Sequence, residues 1–408
     1  MNLFFQIVVT VFIACAANAA QSNPFIISFW CAPPPSLNYD AQYAEVAEAH
    51  FTHVLPPCAG ASVAENKAIL DACEKHGLKF FPMDGRRDTY VETHPNFSAN
   101  MDAILTEYSK HPAYAGLFLN DEPRLQNFKF LAAQNHYLLK KDPAHLPFLN
   151  LMPNYATAEQ LGGTNYEAYV EMYCRTVTPR LLCYDHYPFF EKNFTRGNFF
   201  ENMETIRRAG IKHDIPFGFI FQTTPHGTYR DPSETDLRWQ VNIALAYGSK
   251  ALFYFTYFTP TDVESNFHNG IIDQKGKRTA KFELAKKINR ELKTLAPMLM
   301  QLTSTEVFHT GKIPAGCMKL PPDAPIQVSE NSELIIGFFK HVDASRWAVI
   351  VNRDLQKPIL TTVSFDKKTK KLKELDPQDG KLISLKLKKQ KATFAISAGG
   401  ITFLKLNP

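Results

Sequence analysis

The chain is expected to fold as an α/β protein, a (β/α)8 TIM barrel followed by a small antiparallel β-sandwich. Three observations carry that expectation. Short apolar runs rich in β-branched and aromatic residues alternate with stretches of helical period from Pro24 to about Pro297. Eight such runs can be counted, enough to close a barrel. Beyond Pro297 the pattern changes to alternating strands separated by Asn, Asp, Gly and Lys turns.

The eight expected strands are Phe25 to Trp30, Thr52 to Leu55, Lys79 to Pro82, Tyr114 to Leu119, Pro147 to Leu151, Leu181 to Tyr184, Phe217 to Phe221 and Ala251 to Phe255. Helix signals sit between them. Ala64 to His76 stops at Gly77, and Ser233 opens a helix with Glu234 and Asp236 in its first turn, ending near Gly248. In the second unit, Leu334 to Phe339, Trp347 to Val351, Thr361 to Phe365 and Ile401 to Leu406 read as strands. The expected division is a signal peptide over 1–19, a barrel over 24–300 and a sandwich over 301–408.

The N-terminus carries an apolar stretch from Leu3 to Ile13 and ends in Ala17-Asn18-Ala19, the small-x-small pattern of a cleavage site. A secreted or periplasmic location is expected, with a lipid anchor at Cys15 the minority reading. No later run reaches the length of a membrane span, so no stable span is expected. Cys31, Cys58, Cys73, Cys174, Cys183 and Cys317 show no C-x-x-C spacing and suggest no zinc site. Cys31 and Cys58 follow the first two strands and can lie close enough for a disulfide; buried free thiols are the equal alternative. The net charge of +5 is concentrated late, from Lys367 to Lys391. An acidic polysaccharide or anionic surface would suit it, but Leu385, Lys386, Leu387 and Lys388 alternate as a strand with one wet face. No nucleic-acid partner, metal or cofactor is implied, and oligomeric state is left open.

Barrels of this kind place their chemistry at the carboxyl ends of the strands. Strand four ends in Asn120-Asp121-Glu122-Pro123 and strand six in Tyr184-Asp185-His186-Tyr187-Pro188. Trp30, Asp84, Asn150, Asn154, Gln222, Tyr254 and Tyr257 end the others. Two carboxyl groups, amides for hydroxyls and flat rings for sugar faces are what glycosidic-bond hydrolysis uses, which makes an oligo- or polysaccharide the expected partner. Glu122 and Asp185 are the candidate catalytic pair. Asn120, Asp121, Trp30, Asp84, Asn150, Tyr187, Gln222 and Tyr257 are candidate substrate contacts. Competing structural roles are a helix cap for Asp121, with Pro123 in the first turn, and scaffold hydrogen bonding for Asp185. His53 and His186 lack partners at metal spacing, and Trp239 suits the core.

These residues resemble the clan A type of glycoside hydrolase, which includes the family 42 β-galactosidases. The resemblance rests on Tyr114 through Pro123, Tyr184 through Pro188, Arg238 through Gly248 leading into Leu252 through Tyr257, and Trp347 through Asp354. It implies that Glu122 is the acid/base. Such enzymes place Asn directly before that Glu, where this chain has Asp121, and a nucleophilic Glu at the end of strand seven, where this chain has Gln222. The second carboxylate is therefore expected to be Asp185. Asp262 or Glu264 from the strand-eight loop, or a barrel that binds glycan without cutting it, are the alternatives.

Overall fold

The structure is a computed structural model that describes residues 24–88, 95–328 and 332–407. The expected signal peptide and Cys15 lie outside the described residues. No helix among them is long and apolar enough to cross a membrane.

Strand and helix alternate through the first unit: β1 (Ile26–Phe29), α1 (Tyr39–Glu48), β2 (His53–Val54), α2 (Val63–Lys75), β3 (Lys79–Phe80), α3 (Phe97–Tyr108), β4 (Phe118–Asp121), α4 (Phe128–Lys141) and β5 (Phe148–Leu151). They continue as α5 (Ala158–Leu161), α6 (Tyr166–Val177), β6 (Leu182–His186), α7 (Phe199–His213), β7 (Phe217–Gln222), α8 (Glu234–Tyr247), β8 (Ala251–Phe255) and α9 (Ala280–Leu299). The punctuation works as its chemistry requires. Ser62 and Ser233 cap α2 and α8, each within a capping box completed by Glu65 and Asp236.

A curled parallel sheet runs in the order β1-β8-β7-β6-β5-β4, and β2 pairs with β3. Backbone hydrogen bonds continue across both seams. Thr52 N–H donates to Ile27 O at 2.9 Å, and Ala115 and Phe118 N–H donate to Phe80 O and Pro82 O at 2.9 Å each. One apolar cluster takes Ile26, Leu55, Phe81, Phe118, Phe148, Cys183, Ile220 and Phe253 from, or just after, each of the eight strands. A larger one fills the layer between sheet and helices.

The fourth strand begins later than the run Tyr114 to Leu119 suggests. Gly116 adopts φ +137°, and a Cβ there would lie 1.8 Å from Leu146 O, so the chain jogs inward at that glycine. Tyr114 bridges to Phe80 before the jog, and a further irregularity between Phe118 and Asn120 resets the register so that Asp121 faces Asn150.

After α9 come β9 (Leu302–His309), β10 (Met318–Lys319), β11 (Ile326–Gln327), β12 (Leu334–His341), β13 (Arg346–Asn352), β14 (Ile359–Phe365), β15 (Lys371–Leu375), β16 (Leu382–Leu385), β17 (Lys391–Ile396) and β18 (Ile401–Asn407). They form a seven-stranded sheet, β10-β9-β12-β13-β18-β15-β16, and a three-stranded one, β11-β14-β17. Ile336, Ile350 and Leu404 from the first share an apolar cluster with Ile326, Val363 and Phe394 from the second. The lysine-rich stretch includes β15, where Leu372 and Leu375 are buried and Lys371 is exposed. This second unit packs on α8. Trp239 Nε1 donates to Arg353 O at 2.9 Å, Asn242 Nδ2 to Gly399 O at 2.8 Å, and Tyr247 Oη meets His309 Nε2 at 2.8 Å. Trp239 is core, as its helical position suggests.

Cys31 and Cys58 form a disulfide that ties the loops after β1 and β2. Cys73, Cys174 and Cys183 are buried free thiols.

Candidate active site

The carboxyl ends of β4, β5 and β6 bring three carboxyl groups around one amide. Asp121 is the last residue of β4, Asn150 lies opposite it on β5, and Asn150 in turn pairs with Cys183 of β6, two residues before Asp185. The amide Nδ2 of Asn150 donates to Asp121 Oδ1 at 3.0 Å and to Asp185 Oδ1 at 2.9 Å. Both of its N–H bonds are thus spent on carboxylates.

Glu122 leaves the strand in the left-handed region, at φ +46°. A β-carbon residue held there is strained, and the strain turns the side chain out of the strand's alternation. Two anchors hold the turn. Glu122 N–H donates to Asn150 O at 2.9 Å, and Tyr169 Oη donates to Pro123 O at 2.6 Å. The Glu122 side chain is exposed and hydrogen-bonds the carboxyl of Asp185, which is only 4% exposed.

Proton affinities follow from this placement. Burial, then the charge of Glu122, pushes the Asp185 carboxyl well above the carboxylate range, and the hydrogen bond from Asn150 opposes them only partly. Glu122 is also raised, by desolvation, against the lowering effect of its bond to Asp185. Asp121 reaches solvent at the end of β4, and desolvation raises it to about 7, opposed by Asn150 and reinforced by Glu122. Three such groups cannot all be ionised near neutral pH. Asp185, the most deeply buried, keeps its proton and donates it toward Glu122.

Aromatic rings form one wall. Tyr187 packs 4.8 Å from Phe255 and 5.6 Å from His226, and its hydroxyl feels the charges of Asp185, Glu122 and Asp121. Tyr155 feels the charges of both Asp185 and Arg196, and the Arg196 guanidinium lies over its ring. Sequence reasoning missed Tyr155, Arg196 and Tyr229. Tyr155 adjoins Asn154 after β5 and was open to the strand-end rule; Arg196 and Tyr229 sit deep in loops where no local pattern marks them.

Other expected site residues have different surroundings. Asp84 is buried and bound by Arg86 through Nε at 2.9 Å and Nη2 at 2.6 Å, with Tyr108 Oη at 2.8 Å, so its oxygens serve the scaffold. Gln222 is fully buried: Oε1 accepts from Phe189 N–H at 2.9 Å and Nε2 donates to Phe189 O and Arg230 O at 3.0 Å each. Its amide ties two loops together and has nothing left for a sugar. Tyr257 is buried against Phe29, 4.4 Å between rings, and Tyr254 donates to Asn289 at 2.8 Å. Trp30 is half-buried, edge-on to Phe118, and Asn120 is half-buried on β4. Asp121 does not cap the next helix, because the first helical turn starts only at Leu125. Asp262 accepts backbone N–H groups of Glu264 and Ser265 at 3.2 Å each, a local turn on an exposed loop that also carries Glu264. Burial holds His53 and His186 down at about 3, so neither is a base near neutral pH. Among the described residues no group of three or more His, Cys, Asp or Glu is arranged to hold a metal.

The fold is similar to those of several solved glycosidases. A β-galactosidase from Bacillus circulans sp. alkalophilus superposes with TM-score 0.62 over 95% of this chain and 99% of its own, at 9% identity. A family 5 glycoside hydrolase from Bacteroides vulgatus gives TM-score 0.60 over 94% and 89%, at 12% identity. A β-galactosidase from Marinomonas ef1 gives 0.52 over 69% of this chain at 13% identity, and the match spans 62% of that longer protein. No family model matches the sequence, and no curated protein does.

Proposed function

We propose that the chain is an exported glycoside hydrolase of the clan A type that cleaves O-glycosidic bonds of an oligo- or polysaccharide by carboxylic-acid catalysis. The observation that carries this reading is the carboxyl cluster around Asn150, at the end of the barrel strands where such folds hold their chemistry. The backbone bonds at both seams and the apolar cluster drawn from eight strands support one closed barrel. The two C-terminal sheets with a common core support an appended sandwich, and the Cys31–Cys58 disulfide supports export.

Glu122 protonates the leaving oxygen with the proton it takes from Asp185 along their hydrogen bond. Its raised affinity and its access to solvent suit a general acid working near neutral pH. Asp185 is the catalytic partner in a restricted sense: hydrogen-bonded to Glu122, it holds the shared proton on the same side of the cleft rather than facing Glu122 across a sugar. Asp121, the carboxylate with solvent access, is the group that can take a proton from water.

A second reading has its own observation. The committed amide of Gln222 leaves no carboxylate at the end of β7, which favours a barrel that binds glycan without cutting it. Calorimetry and product analysis on one panel of neutral and anionic polysaccharides separate the two. Release of reducing ends supports the hydrolase; binding with no new reducing ends supports the second reading.

A further inference from the structure

Arg196 stands out on the aromatic wall. Its guanidinium carbon lies 3.8 Å from the ring centre of Tyr155 and 4.6 Å from that of Phe190. Nη2 donates to Tyr229 Oη at 3.0 Å and Nε to Tyr187 O at 3.4 Å. Two rings and two hydrogen bonds therefore fix a group that would otherwise be mobile. Two other arginines of the strand-end loops are neutralised, Arg86 by Asp84 and Arg230 by Asp236, at 2.6 Å each. Arg196 has no carboxylate within ion-pairing distance among the described residues, and its Nη1 makes no hydrogen bond to them.

Its position relative to the carboxyl cluster is fixed by shared neighbours. Tyr155, on which it stacks, also feels the charge of Asp185, and Tyr187, whose carbonyl it holds, feels all three carboxyls. The guanidinium thus shares Tyr155 and Tyr187 as neighbours with the carboxyl cluster. Nearby, Phe194 is 60% exposed and packs 5.6 Å from Phe190, offering a flat apolar face at the rim. A half-buried, preorganised guanidinium without a counter-charge, framed by rings, is what recognition of a planar or tetrahedral anion on a sugar requires.

We propose that Arg196, framed by Tyr155, Phe190 and Tyr229, is an anion-binding subsite that selects a carboxylate- or sulfate-bearing sugar beside the one at Glu122. This rests on the glycoside-hydrolase reading for the location of the reacting sugar. The free Nη1 edge accepts the anion while the aromatic faces take the apolar side of the ring. The protonated state of Asp185 lessens the repulsion that a fully ionised cluster would exert on such a substrate.

The test is calorimetric binding to wild-type protein of oligogalacturonate against its carboxyl-reduced counterpart, and of carrageenan oligosaccharides against their desulfated counterparts. The inference predicts that at least one anionic form binds about tenfold or more tightly than its neutral partner, the worth of one charge-assisted contact. The carboxylate and sulfate arms tell which anion is read. Arg196→Gln brings the ratio close to one, and Arg196→Lys, which keeps the charge without the fork, restores part of it. Equal binding of anionic and neutral forms, no binding of any of the four, or a preference that survives Arg196→Gln overturns the inference. Reducing-end release is read on the same samples. Anionic preference without cleavage sinks the hydrolase reading and leaves the subsite standing, whereas cleavage without preference does the reverse.

Discussion

The carboxyl of Asp185 is hydrogen-bonded to that of Glu122, and burial keeps the proton on Asp185. The pair therefore acts as one acid with two ends, one buried and one exposed. Its consequences can be measured one at a time.

A carboxyl whose affinity is raised by folding stabilises the fold only while protonated. That contribution is complete below the unfolded value of about 3.9 and is lost as pH rises through the raised folded value. For Asp121 the loss runs from there to about 7; for Asp185 burial moves it upward from the same starting point. Asp185→Asn removes the group that resists ionisation while keeping a donor for Glu122. Its unfolding midpoint should equal or exceed wild type at pH 8, with the difference shrinking toward pH 4, and activity should fall. A variant less stable than wild type at pH 8 and equal at pH 4 would contradict the assignment.

Asn150→Ala takes away the one amide that serves both aspartates. Without that donor, ionised Asp121 is less favoured, so its titration should move above about 7. Hydrogen bonds to charged groups contribute roughly 1.5–3 kcal/mol each, so denaturant unfolding at pH 8 should show a loss of about 2 kcal/mol. Carboxyl titration followed by NMR checks the direction.

Gln222→Glu places a carboxylate at the end of β7, yet no nucleophile should result. The new oxygen would face Phe189 O and Arg230 O, which now accept from the amide. Arg230 O left without a donor, Phe189 O left with Arg230 N–H alone, and a buried charge predict destabilisation of about 2 kcal/mol or more and no gain in hydrolysis. A rise in rate would show that the side chain can reach the cleft.

Removing the Cys31–Cys58 link by Cys31→Ser should lower stability by about 3.5 kcal/mol, the chain-entropy value for a loop of this length. Equilibrium unfolding of the variant against the oxidised wild type reads this directly.

The strands were legible because buried parallel strands are short unbroken apolar runs, and the helices because Ser62 and Ser233 mark their starts. The carboxyl cluster was legible because a strand's end fixes where a residue lies. It does not fix where a side chain points. Asp84, Gln222 and Tyr257 end strands as Asp121 does, but their side chains turn toward Arg86, the loop backbone and Phe29. The strain at Glu122 and the jog at Gly116 depend on neighbouring strands, so no local pattern announces them. Arg196 reaches the wall only through the folded path of its loop.

The measurement that bears most directly on the account is reducing-end release by Glu122→Gln against wild type, on a glycan the wild type cleaves, with matched unfolding curves for both. The amide keeps the side chain's size and a hydrogen bond to Asp185 but cannot give a proton to a leaving oxygen. The predicted result is a loss of about 10²- to 10⁴-fold at unchanged stability. A correctly folded Glu122→Gln protein that cleaves at the wild-type rate would contradict it.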